Sequence, residues 1–191
     1  MVNYDFLNKY FYLLQDVMFD KLIDLKYALI GTSSVDKTPY WNQALVNRLI
    51  SDDEFNQVVE EMKILNRCPT FYFESRQDTQ NLLEFLGKKG CSKSFEDSWM
   101  FYDSEAVTQD KFERVRKVND KKDLKIFLDV FNKCYQKNDP QNPYGELGDY
   151  LMISESVWHK HHSTGRVEYF IVYKENDPVA VSTLNNHNEI K

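Results

Sequence analysis

The sequence predicts a mixed α/β protein built from two units in tandem. Stretches with apolar residues at steps of three and four alternate with short apolar or aromatic runs, which is the pattern of helices alternating with strands. Of the 191 residues, 42% are hydrophobic and 15% are aromatic, so the chain carries enough apolar surface for a core. A polar run at residues 103–111 separates the two sets of elements and is typical of a linker. We therefore expect two domains, residues 1–107 and residues 110–191.

The first element expected is a long amphipathic helix at the N-terminus. Its apolar residues form one stripe, made of Tyr4, Leu7, Phe11, Leu14, Met18, Leu22 and Leu25. Such a stripe is typical of a helix that packs on its own domain. A helix that binds a partner is the alternative.

Residues 26–104 follow with the predicted order β-β-α-β-α-β, a small α/β layer structure. The strands are expected at 26–33, 43–49, 70–74 and 94–103. Ser51 is followed three residues later by Glu54, which is a capping box and predicts a helix to about residue 66. The second helix of this unit begins at Asp78 or Thr79.

The second unit has the predicted order β-α-α-β-β. Its elements are a strand at 112–118, helices beginning at Asp120 and Asp149, and strands at 167–173 and 179–184. Residues 139–148 hold two prolines and two glycines and are therefore expected to form the loop between the helices.

Composition excludes several classes of function and compartment. The formal net charge is −6, with a pI of about 5.3, which argues against a nucleic-acid-binding protein. No stretch approaches the ~18 apolar residues of a membrane span, and the N-terminus does not have the pattern of a signal peptide. The three cysteines, Cys68, Cys91 and Cys134, are too far apart for a Cys-x-x-Cys pair. Reduced thiols of this kind favour a cytoplasmic protein.

The hairpin at residues 169–184 carries a family resemblance. It reads Tyr-Phe-Ile-Val-Tyr-Lys-Glu-Asn-Asp-Pro-Val-Ala-Val-Ser-Thr-Leu, with a small polar pair, Asn176 and Asp177, before the second strand. Together with the β-α-α-β-β order, this hairpin resembles the opening of the GNAT acetyltransferase superfamily. The runs at 69–73 and 96–100 are similar to the N-terminal region of two-part GNAT proteins. The resemblance implies acetyl-CoA-dependent transfer of an acetyl group to an amine, by direct attack of the amine on the thioester.

The sequence departs from that family at the acetyl-CoA site. In the family, a Gln/Arg-x-x-Gly-x-Gly/Ala turn opens a helix whose backbone N–H groups hold the pyrophosphate. None of the six glycines in this chain has that spacing. Acetyl-CoA is therefore implied by the resemblance only; we expect no cofactor-binding residue in this chain and no acetyl transfer by the chain alone.

The sequence thus predicts the N-terminal portion of an N-acetyltransferase, ending in an incomplete GNAT-like unit. Its acceptor in the full domain is a small-molecule or peptide amine. A non-catalytic binding or interaction module is the alternative, and an unrelated α/β protein is a third reading. We expect the incomplete sheet to leave an exposed edge that the lone chain covers by self-association.

Four residues are candidates for substrate binding. Trp41 and Asn42 are chosen because a Trp beside an amide can stack on and orient a polar ligand, with ordinary strand packing as the alternative. Tyr135 and Tyr144 flank the loop that shapes the acceptor site in the family. The cluster His159, His161 and His162 is expected to be a solvated helix end, since positions i, i+2 and i+3 of a helix diverge, and we expect no metal site.

Overall fold

The computed structural model describes residues 4–98, 113–140 and 145–186. These residues form five α-helices and two sheets, a four-stranded mixed sheet and a three-stranded antiparallel sheet. The predicted mixed α/β class is confirmed. The chain divides into two compact units, Met1–Phe101 and Tyr102–Lys191. The predicted boundary between residues 107 and 110 lies outside the described residues and stays a prediction.

Unit 1 is built on the four-stranded sheet. Its elements are α1 (Tyr4–Leu13), β1 (Lys21–Asp24), β2 (Ala28–Thr32), β3 (Asn42–Val46), α2 (Asp52–Ile64), β4 (Phe71–Tyr72) and α3 (Gln80–Lys88). The strands lie side by side in chain order. The first three are antiparallel and β4 runs parallel to β3, so α2 is the crossover connection that a parallel pair requires.

Alternation along β3 gives this sheet two apolar faces. Ala44 and Val46 belong to a core that contains side chains of α2 and α3, whereas Leu45 belongs to a second core that contains side chains of α1. Both faces of the central strands are therefore covered, and every residue of β2 and β3 is buried.

The N-terminal helix is shorter than the apolar stripe predicts, and the prediction of one helix reaching Leu25 is wrong. The helix ends at Leu13, and residues 21–24 form β1. Asp16 has a φ of 63°, which a right-handed helix cannot contain. The amides of Met18 and Phe19 both donate to the carbonyl of Leu14 and close a turn instead.

The strand predicted at 94–103 is not found in its described part, residues 94–98. Four of these five residues are polar and exposed, so they lack the apolar alternation of a strand. Phe95 packs on the rings of Tyr40 and Tyr72. Residues 99–103 lie outside the described part of the chain.

The helix caps predicted at Ser51 and Asp120 are confirmed, whereas Thr79, the residue before α3, makes no side-chain cap bond to that helix. The hydroxyl of Ser51 accepts from the amide of Glu54 at 3.2 Å, and the carboxylate of Glu54 accepts from the amide of Ser51 at 2.9 Å, which completes the capping box. In unit 2, the carboxylate of Asp120 accepts from the amides of Lys122 and Asp123 at 2.8 and 2.9 Å.

Unit 2 has the predicted order of elements. They are β5 (Val115–Lys117), α4 (Lys121–Lys133), α5 (Tyr150–His161), β6 (Val167–Lys174) and β7 (Asp177–Asn185), with the antiparallel sheet order β5-β6-β7. Tyr169 of β6 stacks on Phe127 of α4 at 4.2 Å and donates to the carbonyl of Ser154 in α5 at 2.9 Å. Both helices therefore cover the same face of this sheet.

The other face of the unit 2 sheet is only partly covered in the part of the chain that the structure describes. Phe170 and Val172 of β6 lie on the face opposite Tyr169 and are only half-buried, and Ala180 of β7 is exposed beside them. No residue of β7 is buried, and no described strand pairs with its outer edge.

Candidate functional site

Two of the predicted substrate-binding residues lie where a short 3-10 helix leads into β3. Trp41 is the last residue of a short 3-10 helix, Pro39–Trp41, and is 8% exposed. Its ring lies edge-on to the ring of Tyr40, with centroids 6.3 Å apart. Trp41 is therefore mostly covered, and its contact with a substrate stays a prediction.

Asn42 has a structural role. Its Oδ1 accepts from the amide of Ser33 at 3.0 Å and from Nε of Arg67 at 2.9 Å. Its Nδ2 donates to the carbonyls of Asp36 and Thr38 at 2.7 and 2.9 Å. These four bonds use the hydrogen-bonding capacity of a primary amide. Asn42 therefore holds the loop between β2 and β3, and its predicted contact with a substrate stays a prediction.

Gln43 is the residue that sequence reasoning missed. Because side chains alternate along a strand, that of Gln43 lies on the α1 side of the sheet together with that of Leu45, whereas that of Asn42 lies on the other side. Gln43 is 6% exposed, and its Nε2 donates to the carbonyl of Tyr40 at 2.8 Å. Its Oε1 is buried and has no hydrogen-bond partner among the described residues. Buried acceptors are usually paired, so this oxygen marks a place where a donor fits.

Aromatic rings lie on the same side of the sheet. We call Tyr10, Tyr40, Tyr72 and Phe95 the aromatic cluster. Phe95 lies between two of the tyrosines, with centroids 5.6 Å from Tyr40 and 6.1 Å from Tyr72. Tyr72 is the register partner of Leu45, two residues along β3 from Gln43.

The surroundings of Tyr10 oppose a negative charge on its hydroxyl. Burial raises the pKa of Tyr10 to about 12, helped by the nearby Tyr40, Tyr72 and the Asp97 carboxylate, all of which oppose a phenolate there. Aromatic faces attract cations, and the open oxygen of Gln43 accepts a hydrogen bond. The cluster can therefore bind a group that is positively charged or donates hydrogen bonds.

A second depression lies at the carboxyl ends of the parallel strands β3 and β4, the usual position of ligand sites in α/β sheets. It is lined by Leu7, Val46, Asn47, Glu74, Arg76 and Thr79 and leaves no enclosed space for a water molecule. Small-molecule pockets typically measure ~300–1,000 Å³. The Arg76 guanidinium is also engaged, at 3.2 Å from Glu74 and 2.9 Å from Asp78. This depression is the weaker candidate.

The candidates in unit 2 are not assembled into a site by the described contacts. Tyr135 is half-buried and lies edge-on to Phe131, with centroids 5.4 Å apart. Tyr144 lies outside the described residues. The roles of both tyrosines in acceptor binding stay predictions.

The three neighbouring histidines point to different surroundings. His162 stacks on Trp158 at 4.0 Å, and its Nδ1 lies 2.8 Å from the Trp158 carbonyl. His161 is buried, so the expectation of a solvated helix end is wrong for this residue, and His159 lies 4.0 Å from a carboxylate oxygen of Glu155. In the part of the chain that the structure describes, no three His, Cys, Asp or Glu side chains are grouped to hold a metal ion.

No family model matches this chain, and neither a curated protein nor a solved structure does so. Among the described helices, none has the length and apolar character needed to cross a membrane.

Proposed function

We propose that this chain is the N-terminal portion of an acetyl-CoA-dependent N-acetyltransferase of the GNAT type. The observation that carries the proposal is the order β5-α4-α5-β6-β7 with its antiparallel sheet, because this order is the basis of the family resemblance. The β6–β7 hairpin, with its turn at Glu175 and Asn176, contains the residues that carry that resemblance. The acceptor is a small-molecule or peptide amine, and the compartment is the cytoplasm.

The partly covered face of the unit 2 sheet supports the proposal. α4 and α5 cover one face of the sheet, while the face with Phe170 and Val172 has no helix packed on it among the described residues. A further strand beside β7 and further helices on that face would complete a two-sided α/β domain. The acetyl-CoA site belongs to those further elements in this proposal.

The residues of this chain do not themselves fit acetyl-CoA. The six glycines lack the spacing of a phosphate-holding turn, and four of them are left-handed single residues in loops or at helix ends. We therefore assign no step of acetyl transfer to a residue of this chain. The proposed role of this chain is to form the first half of the domain.

The test compares this chain with the product of the full reading frame of its source gene. Isothermal titration with acetyl-CoA is expected to show binding by the longer protein and none by residues 1–191, with adenosine as the control ligand. The frame is expected to continue into a strand and a Gln/Arg-x-x-Gly-x-Gly/Ala turn. A stop codon directly after Lys191, or a longer protein that fails to bind acetyl-CoA, would show the proposal to be wrong.

A non-catalytic binding module is the second candidate, and one observation favours it. The buried oxygen of Gln43 lacks a partner among the described residues, and Gln43 belongs to unit 1, outside the GNAT-like unit. Binding of a small ligand at that oxygen, together with a reading frame that ends at Lys191, would favour this candidate over the acetyltransferase.

A further inference from the structure

Gln43 and the aromatic cluster share one side of the unit 1 sheet and come from separate elements. Tyr10 lies on α1, Tyr40 on the 3-10 helix, Gln43 on β3 and Tyr72 on β4, while Phe95 follows α3. The amide of Gln43 is tied to this group through its bond to the carbonyl of Tyr40. The position of its oxygen is therefore fixed by the fold.

The polar groups of this region all favour the same kind of ligand. The unpartnered buried atom of Gln43 is its oxygen Oε1, an acceptor, while its Nε2 already donates to the carbonyl of Tyr40. Asp97 contributes a carboxylate that acts on Tyr10. Phenol and phenyl rings present negative faces that attract ammonium groups. A ligand that is both a cation and a hydrogen-bond donor satisfies all three features.

The region reaches solvent on one side. Tyr40 is 46% exposed, Asp97 is exposed and Phe95 is half-buried. Phe95 and Asp97 also lie on a segment, residues 91–98, without helix or strand. A ligand can therefore approach at Tyr40, and it reaches the buried oxygen of Gln43 only when a side chain of the cluster moves aside.

We propose that Gln43 and the aromatic cluster form a binding site for a protonated amine, with an N–H of the ammonium group donating to Oε1 of Gln43. Tyr40 and Phe95 cover the alkyl part of the ligand, and Asp97 balances its charge. The site belongs to unit 1 alone, so it stands whether or not unit 2 is part of an acetyltransferase.

The test titrates the full chain with butylammonium chloride and follows the Gln43 side-chain amide by ¹H–¹⁵N NMR. Butylammonium is expected to shift this signal in a saturable way, whereas sodium butyrate and butanol, which share its chain, have no saturable effect. Equal responses to all three probes, or no response to butylammonium, would overturn the proposal. In that case the Gln43 oxygen is paired with a buried water only.

Two variants identify the groups that bind. Gln43→Met removes the acceptor at similar size and is expected to weaken butylammonium binding about tenfold or more, since the lost bond is to a charged group. Tyr40→Leu removes an exposed wall, leaves the buried residues in place and is expected to weaken binding as well.

The matched control is Tyr12→Leu, an exposed tyrosine of α1 whose hydroxyl donates to Asp24. Binding is expected to stay unchanged in this variant. If Tyr12→Leu weakens butylammonium as much as Tyr40→Leu does, or if a folded Gln43→Met protein binds like the parent, the site is not where we place it.

Discussion

Gly31 is required by a close approach of a side chain to the sheet. A Cβ at this position would lie 2.6 Å from Cδ2 of Phe19, far inside van der Waals contact. Phe19 is 1% exposed and packs on Phe11 with ring centroids 5.1 Å apart. The ring therefore has little room to retreat, because interiors are close-packed.

We expect Gly31→Ala to lower the free energy of unfolding by about 1–3 kcal/mol, the usual effect of overpacking a core. Urea unfolding followed by circular dichroism measures this change. Gly87→Ala is the control: it lies in α3 with no atom near its Cβ position, so alanine is expected to stabilise by up to ~1 kcal/mol. Equal destabilisation by both substitutions would contradict the argument.

Asn42 gives a second residue-level prediction. Asn42→Ala leaves the amide of Ser33 and the guanidinium of Arg67 without their shared acceptor in a buried position. We expect a loss of roughly 2–4 kcal/mol in the free energy of unfolding. Asn56→Ala, exposed on α2, is expected to change it by less than about 0.5 kcal/mol. A loss near zero for Asn42→Ala would leave this residue free for the ligand role that the sequence predicts.

At the residue scale, the sequence predicts contacts between residues that are close along the chain and misses contacts between residues that are far apart. The caps at Ser51 and Asp120 depend only on the next three residues, so the sequence contains the whole signal. The bond from Asn42 to Arg67 joins residues 25 positions apart. The burial of the Gln43 oxygen without a partner depends on which face of the sheet α1 covers. Neither fact can be read from residues 40–43 alone. The sequence therefore points to Asn42 as the ligand-binding amide and misses its neighbour Gln43.

At the scale of elements, spacing alone does not separate a helix from a turn and a strand. Met18 and Leu22 continue the spacing of apolar residues that begins in α1. Neither residue belongs to the helix, although both pack against the core that the helix covers. The chain reverses again after β1, where the carboxylate of Asp24 accepts from the amide of Lys26, whose φ is 67°. Pairing of β1 with β2 decides the structure here, and that pairing is a tertiary interaction.

The first turn of α2 yields a pH prediction. Glu54 accepts from Arg48 at 2.6 and 3.0 Å and from the amide of Ser51, which together lower the pKa of its carboxyl to about 2. A lowered folded-state pKa means that the stabilisation is complete above the unfolded value, ~4.3, and is lost as pH falls towards 2. Stability of unit 1 is therefore expected to fall on acidification through this window.

Glu54→Gln tests this contribution. The urea midpoint of the variant is expected to change less between pH 5 and pH 2 than that of the parent, since one of the groups that must take up a proton is gone. Glu60→Gln, exposed on the same helix and outside the cap, is the control and is expected to keep the parent pH profile. Identical profiles for Glu54→Gln and the parent would show that the cap does not titrate in this range.

At the scale of the whole molecule, the two units differ in how their sheets are closed. The unit 1 sheet is covered on both faces, whereas the unit 2 sheet, as far as the structure describes it, ends at β7, a strand of nine residues whose only charged side chain is Asp177. Long edges without charges invite pairing with another strand. The exposed Val179 and Leu184 add apolar surface to this edge.

We therefore expect residues 1–191 alone to self-associate through β7 as protein concentration rises, which sedimentation velocity measures directly. Ser182→Lys places a positive charge in the middle of β7. When the β7 strands of two copies pair antiparallel, the two lysines lie along the shared edge and repel each other. The variant is therefore expected to be monomeric. Asn176→Lys makes the same change of charge in the adjoining turn and is expected to leave association intact.

A parent chain that stays monomeric at its highest soluble concentration would contradict the expectation. Association lost equally in both variants would show that net charge, not the strand edge, controls it.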